Sequence, residues 1–186
     1  MNNNTFVHKY IKTLINKDDI VVDMTTGNGN DTLFLCSLAK KVYGFDIQNE
    51  AINNTSIKVK DYKNVVLIND NHANVDKYIK EKIKLFIFNL GYLPNSESKL
   101  VTNKYDTLEA FKKAYDLLEK DGYLIITFYI GHKGGKDEYY YLDQYINSKK
   151  ILVLEKYKEN KNILEPITYI IKKLWYFFNN ISNSCS

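Results

Sequence analysis

The groups most able to do chemistry in this sequence begin with Asp23-Met24-Thr25-Thr26-Gly27-Asn28-Gly29-Asn30-Asp31. The β-branched Val21-Val22 precedes this run and Thr32-Leu33-Phe34-Leu35 follows it, so it reads as a tight loop between a strand and a helix. Gly27 and Gly29 let the backbone turn sharply and approach a ligand with no Cβ in the way. The helix start beyond them offers unpaired amides. A dinucleotide fingerprint would place its third glycine at position 32, which is Thr32. The full glycine pattern serves close approach to a pyrophosphate. Its loss disfavours nicotinamide and flavin cofactors and suits a nucleoside without a pyrophosphate, of which S-adenosylmethionine (SAM) is one.

Four further polar clusters fall at strand ends. Asp46 lies nineteen residues beyond Gly27, where a carboxylate at the end of a second strand can accept both hydrogen bonds of a ribose diol. Alone, Asp46 would equally be an N-cap before Gln48-Asn49-Glu50. Asn69-Asp70-Asn71-His72 ends a third strand; Asp70 could accept from an adenine amino group with His72 close by, or the cluster could be a turn and cap. In Asn89-Leu90-Gly91-Tyr92, the Asn89 carbonyl can accept from an amine while Tyr92 offers an aromatic face to a base. That arrangement aims a nitrogen lone pair at an electrophilic methyl, catalysis by positioning. The competing reading is a turn eased by Gly91 and filled by Tyr92. His132, in the glycine-rich Gly131-His132-Lys133-Gly134-Gly135, could accept a proton, bind phosphate or stabilise the loop.

Other chemistries find less support. His8, His72 and His132 are too scattered to form a zinc site, and no metal is expected. Cys36 reads as buried helix and Cys185 as tail, which argues against a covalent cysteine adduct on a pyrimidine carbon.

The elements that must position these groups follow from periodicity. Helices are expected at 6–16, 31–38, 51–60, 75–81, 106–118 and 137–146, and strands at 20–23, 41–46, 65–68, 85–88, 123–129, 151–157 and 167–172. Asp121-Gly122 reads as the stop of the fifth helix. No helix-length segment separates the last two strands, so they should pair antiparallel. The architecture is then α/β, a mostly parallel seven-stranded sheet with helices on both faces and ligands at the carboxyl edge. Residues 1–173 form one domain and 174–186 an aromatic and polar extension, in which Trp175-Tyr176-Phe177-Phe178 reads as core or dimer packing before base stacking.

All 26 basic residues are lysines, and with many asparagines and sixteen tyrosines this is a chain-wide compositional bias, so individual lysines or asparagines carry less functional weight than usual. A net charge of +4 permits a polyanionic partner without requiring one. With no secretory signal and no membrane-length apolar run, a cytoplasmic protein is the expectation, and a homodimer could widen a groove for an RNA stem.

Taken together, Asp23-Met24-Thr25-Thr26-Gly27-Asn28-Gly29-Asn30-Asp31-Thr32, Gly44-Phe45-Asp46-Ile47-Gln48, Asn89-Leu90-Gly91-Tyr92-Leu93-Pro94 and Gly131-His132 with Gly134-Gly135 and Glu138 resemble the YtqB/MnmM family of class I SAM-dependent methyltransferases. The likeness spans about residues 6–173. It implies a Rossmann-like sheet of order 3-2-1-4-5-7-6. It also implies SAM as cofactor and methylation of a tRNA wobble uridine in the anticodon stem-loop, from 5-aminomethyl(-2-thio)uridine to 5-methylaminomethyl(-2-thio)uridine. By this likeness Asp23, Thr25, Gly27, Asn28, Gly29, Asp31, Asp46, Ile47, Gln48, Asp70, His72, Asn89 and Leu90 lie on the cofactor side, and Asn89, Tyr92 and His132 face the acceptor. Asn30 and Asn71 depart from the His and Gly common in the family.

Overall fold

Each central strand alternates its side chains between two cores, which fixes the layering of this molecule. In the computed structural model, which describes residues 1–91, 103–131, 134–160 and 164–174, Val22, Phe86, Phe88, Leu124 and Ile126 enter one core. Their neighbours Val21, Leu85, Ile87 and Ile125 enter the other. A two-residue side-chain period combined with burial on both faces requires helices on both sides of the sheet.

The chain runs α1 (Asn3–Leu14), β1 (Ile20–Asp23), α2 (Asn30–Cys36), β2 (Lys41–Asp46), α3 (Asn49–Lys58), β3 (Val65–Asn69), α4 (Val75–Tyr78) and β4 (Ile83–Leu90). It continues through α5 (Lys104–Leu117), β5 (Leu118–Phe128), α6 (Gly135–Ser148), β6 (Val153–Lys158) and β7 (Ile167–Lys172). The seven-stranded sheet has the order β3-β2-β1-β4-β5-β7-β6, with β7 antiparallel to both of its neighbours. The expected order and the terminal hairpin are therefore both present. Helix α1 packs Phe6, Val7 and Ile11 into the same core as Val21 and Leu85, while α5 and α6 bring Phe111 and Leu142 to the opposite one.

Three local expectations need correction. Strand β4 continues through Asn89 and Leu90, which pair with Thr127 and Phe128, so Asn89 is held by the sheet and not by a turn. Helix α5 ends at Leu117; Leu118 already pairs with Ile83, and pairing resumes at Tyr123 opposite Leu85. Asp121, at φ +58°, sits in the bulge between, so Asp121-Gly122 turns the strand and does not stop the helix. The helix expected at 75–81 is a 3-10 turn, His72–Asn74, followed by the four residues of α4.

The three successive tyrosines of α6 take different directions. Tyr139 hydrogen-bonds Tyr169 at 3.0 Å, Tyr140 is exposed and Tyr141 meets Tyr105 edge to face. The Trp175-Phe178 run lies outside the described residues.

Candidate active site

After β1 the backbone changes partner. Met24 N donates to the Ile87 carbonyl of β4 at 2.9 Å, and Thr26 N donates to the Phe45 carbonyl of β2 at 2.9 Å. This is the point where the strand order reverses, and it opens the crevice in which doubly wound sheets bind ligands. Two carboxylates at the strand ends hold the loop across it.

Asp23 is fully buried and accepts from the Thr32 hydroxyl at 2.6 Å and from Thr25 N at 3.1 Å. Burial, reinforced by repulsion from Asp31, pushes its carboxyl up to about 7. Thr32, in place of the third glycine, therefore anchors the loop from beneath. Asp46 accepts from Gly27 N at 2.9 Å and Gln48 N at 3.0 Å. Burial raises its carboxyl, and hydrogen bonds from the Gln48, Gly27 and Ile47 amides and the Thr26 side chain oppose that shift by favouring the charged form.

The glycines divide the work. Gly27, at φ +50°, turns its amide to Asp46. Gly29, at φ +74°, lies so close to α3 that a Cβ would stand 2.9 Å from Thr55 Cα. The second glycine thus serves helix packing more than approach to a ligand.

Two cavities flank this loop. One, of about 250 Å³, is walled by Met24, Ile47 and His72, with Asp46, Gln48 and Asn71 supplying polar groups. His72 lies against the Met24 carbonyl, its Nδ1 at 3.3 Å, and burial lowers its pKa, which favours the neutral ring. The other, of about 350 Å³, is lined by Asn4, Gly27, Asn28, Asp31, Asn89 and Tyr129. Thr25 and Gly91 border both. The Thr25 hydroxyl also accepts from Asn89 N at 2.8 Å. On the second cavity, Asn89 Nδ2 donates to Asp31 Oδ2 at 2.5 Å, and Asp31 Oδ1 lies 2.5 Å from His8 Nε2. The His8 ring stacks on Phe34 at 3.9 Å and 5°.

Of the residues singled out in the sequence, Thr25, Asp46, Ile47, Gln48 and His72 meet at the first cavity, and Gly27, Asn28, Asp31 and Asn89 at the second. Asp23 and Gly29 support the loop from behind. Asp70 turns both carboxylate oxygens to its own segment, one to Asn71 N and Asn74 Nδ2, the other to the Tyr78 hydroxyl. Its neighbour Asn71 reaches the cavity, capping Ala73 N at 2.9 Å and donating to Asp106 at 2.9 Å. A family glycine there could do neither. The Leu90 side chain is wholly buried in the core. Tyr92 and His132 lie outside the described residues. Sequence reasoning passed over Asn4, His8, Asn103, Asp106 and Tyr129. The signal for the first two was their spacing of four on one face of α1.

The first cavity fits a nucleoside: apolar walls for a base, with a carboxylate at the strand end for a diol. The second carries an amide and a carboxylate able to hold a cationic or hydrogen-bonding group.

Comparison with known proteins gives the same direction. The family model described as "Putative rRNA methylase" matches residues 42–172. A chloroplastic tRNA (mnm5s2U34)-methyltransferase of Arabidopsis thaliana is 35% identical over 70% of this chain, which spans 54% of that protein's length. A Clostridium thermocellum crystal structure titled as a "putative rRNA-methylase" superposes with a TM-score of 0.87 at 37% identity, covering 94% of this chain and 98% of that one. Streptococcus mutans SMU.1697c, titled a "putative methyltransferase" and solved in complex with SAH (S-adenosylhomocysteine), gives 0.85 at 36% identity over 94% and 99%. On the match to the family model and these full-length superpositions, the chain belongs to the "Putative rRNA methylase" family of class I SAM-dependent methyltransferases.

Proposed function

We propose that this protein methylates the aminomethyl nitrogen of 5-aminomethyl(-2-thio)uridine at the tRNA wobble position, giving 5-methylaminomethyl(-2-thio)uridine. The observation that carries the reading is the Asn89–Asp31 pair, at 2.5 Å, beside the boundary shared by the two cavities. The activity of the Arabidopsis relative and the SAH bound in the S. mutans structure support it.

SAM, when bound, supplies an electrophilic methyl on a sulfonium. Asp46 would hold the ribose diol through its carboxylate, and Met24, Ile47 and His72 would enclose the base. Gly27 and Thr25 would border the amino-acid portion. Asp31 fixes the Asn89 amide by taking its N–H, so the carbonyl Oδ1 is left to accept from an incoming amine and to orient its lone pair. Tyr92 would present its ring to the uracil, and His132 would border the acceptor. Cys36 is buried, with its thiol pushed up to about 11 by that burial, which suits direct transfer to nitrogen with no covalent cysteine step.

Labelled SAM and an anticodon stem-loop bearing 5-aminomethyluridine should yield a labelled secondary amine. Unchanged stem-loop under conditions where the protein binds SAM would overturn the substrate. Label appearing instead in ribosomal RNA would redirect the reading to an rRNA base.

A further inference from the structure

We propose that Asp31, braced by His8, receives the acceptor's ammonium group and takes its proton, which moves Asp31 from the cofactor side of the site to the acceptor side. The inference rests on the reading of the acceptor as an aliphatic amine.

The carboxylate is gripped from two directions. His8 of α1 meets Oδ1 at 2.5 Å and Asn89 of β4 meets Oδ2 at 2.5 Å, while Asp31 itself borders the second cavity with its side chain 18% exposed. Two fixed bonds pre-orient the group, and the remaining lone pairs face a space large enough for a ligand. In a chain with 26 lysines, no described lysine pairs with it. Lys58 turns aside to Asn30 Oδ1 at 2.6 Å, and Lys12 lies over the Phe34 ring at 5.8 Å. Among the described residues, no lysine ammonium takes this place beside Asp31.

The surrounding groups favour such a cation. Asp23 of β1, fully buried, interacts repulsively with Asp31. Tyr129, beyond β5, faces the same cavity, and its hydroxyl is held more firmly protonated by burial and by Asp31. His8 is stacked on Phe34, which fixes its ring against Asp31, and its side chain is 29% exposed.

A primary alkylammonium carries its proton at neutral pH and has no lone pair with which to attack. Transfer of one N–H proton to the Asp31–His8 pair leaves the electron pair on nitrogen. That pair forms the new N–C bond as the methyl's bond to sulfur breaks, with the departing electrons staying on sulfur, and the proton leaves Asp31 for the solvent of the cavity. Asp31 would touch the substrate; His8 acts through it and is a positioning residue.

The test uses the full chain with aminomethyl and unmodified stem-loops. Without cofactor, the wild type should bind the aminomethyl stem-loop about tenfold more tightly than the unmodified one, and Asp31→Asn should abolish that preference. With SAM, Asp31→Asn should lower kcat/KM about 100-fold at pH 7 and recover much of the loss at pH 9.5, where the amine sheds its own proton. SAM affinity should not change. His8→Gln should show a smaller loss with the same recovery at high pH. A loss for Asp31→Asn equal at every pH, or a SAM affinity that falls with turnover, overturns the inference and returns Asp31 to a structural or donor role. A wild type that binds SAM but leaves the aminomethyl stem-loop unmethylated fails the substrate reading itself.

Discussion

Replacing Asp23 by Asn should stabilise the protein at neutral pH, increasingly so as the pH rises. Asp23 is fully buried with Asp31 nearby, and its carboxyl binds a proton up to about pH 7, against 3.8 for an ordinary aspartate. The fold therefore holds a proton that the unfolded chain has released between these limits. The stability this contributes is fully present below about pH 4 and is lost as the pH climbs through 7. One factor of ten in proton affinity is worth about 1.4 kcal/mol, so the interval corresponds to about 4 kcal/mol at most. Relaxation of a buried site reduces this, and about 2–3 kcal/mol is the working expectation.

Asn at position 23 cannot ionise. Its carbonyl can still accept from Thr25 N, and the Thr32 hydroxyl can reverse to accept from its amide. Urea unfolding followed by circular dichroism at pH 4.5 and 7.5 on both proteins isolates the effect. Carboxylates held below their usual range, such as Glu81 beside Tyr43 and Lys41, act in the opposite sense but cancel in the difference. The stability of the variant relative to wild type should rise by about 2–3 kcal/mol between the two pH values. A difference constant within about 0.5 kcal/mol, or one favouring wild type as pH rises, would refute the account of a buried carboxyl that keeps its proton.

Three other perturbations probe separate parts of the site. Asp46→Ala should weaken SAM binding by about 1–3 kcal/mol in calorimetry through loss of charge-assisted bonds, and an unaltered affinity would exclude the ribose contact. Asn89→Ala should lower turnover at saturating SAM well beyond any change in SAM affinity; a loss confined to SAM affinity would reverse its assignment to the acceptor. Gly29→Ala forces φ +74° on a side-chain-bearing residue and drives a Cβ to 2.9 Å from Thr55 Cα, so the urea midpoint should fall by the equivalent of about 2–4 kcal/mol. Wild-type stability in that variant would show that α3 yields at Thr55.

The sheet was legible because its strands are near-continuous apolar runs ending in polar residues, a pattern only a doubly covered parallel sheet needs. Strand order and cofactor class came with the four ordered motifs. What periodicity could not show was tertiary. Leu118 joins β5 through its pairing with Ile83, across a bulge that local propensity reads as a helix stop. Asp70 was read as a ligand contact from its place alone; that its oxygens also meet Asn71, Asn74 and Tyr78 is set by the fold of its own segment. His8 looked isolated because its partner Asp31 is 23 residues away, and only the packing of α1 brings them together.

Thr25 borders both chambers, and its hydroxyl receives the Asn89 amide. A ligand in one chamber and a ligand in the other would therefore both meet Thr25, and any effect of one on the affinity of the other could pass through this hydroxyl. Reciprocity then demands that whatever factor SAM imposes on stem-loop affinity, the stem-loop imposes on SAM.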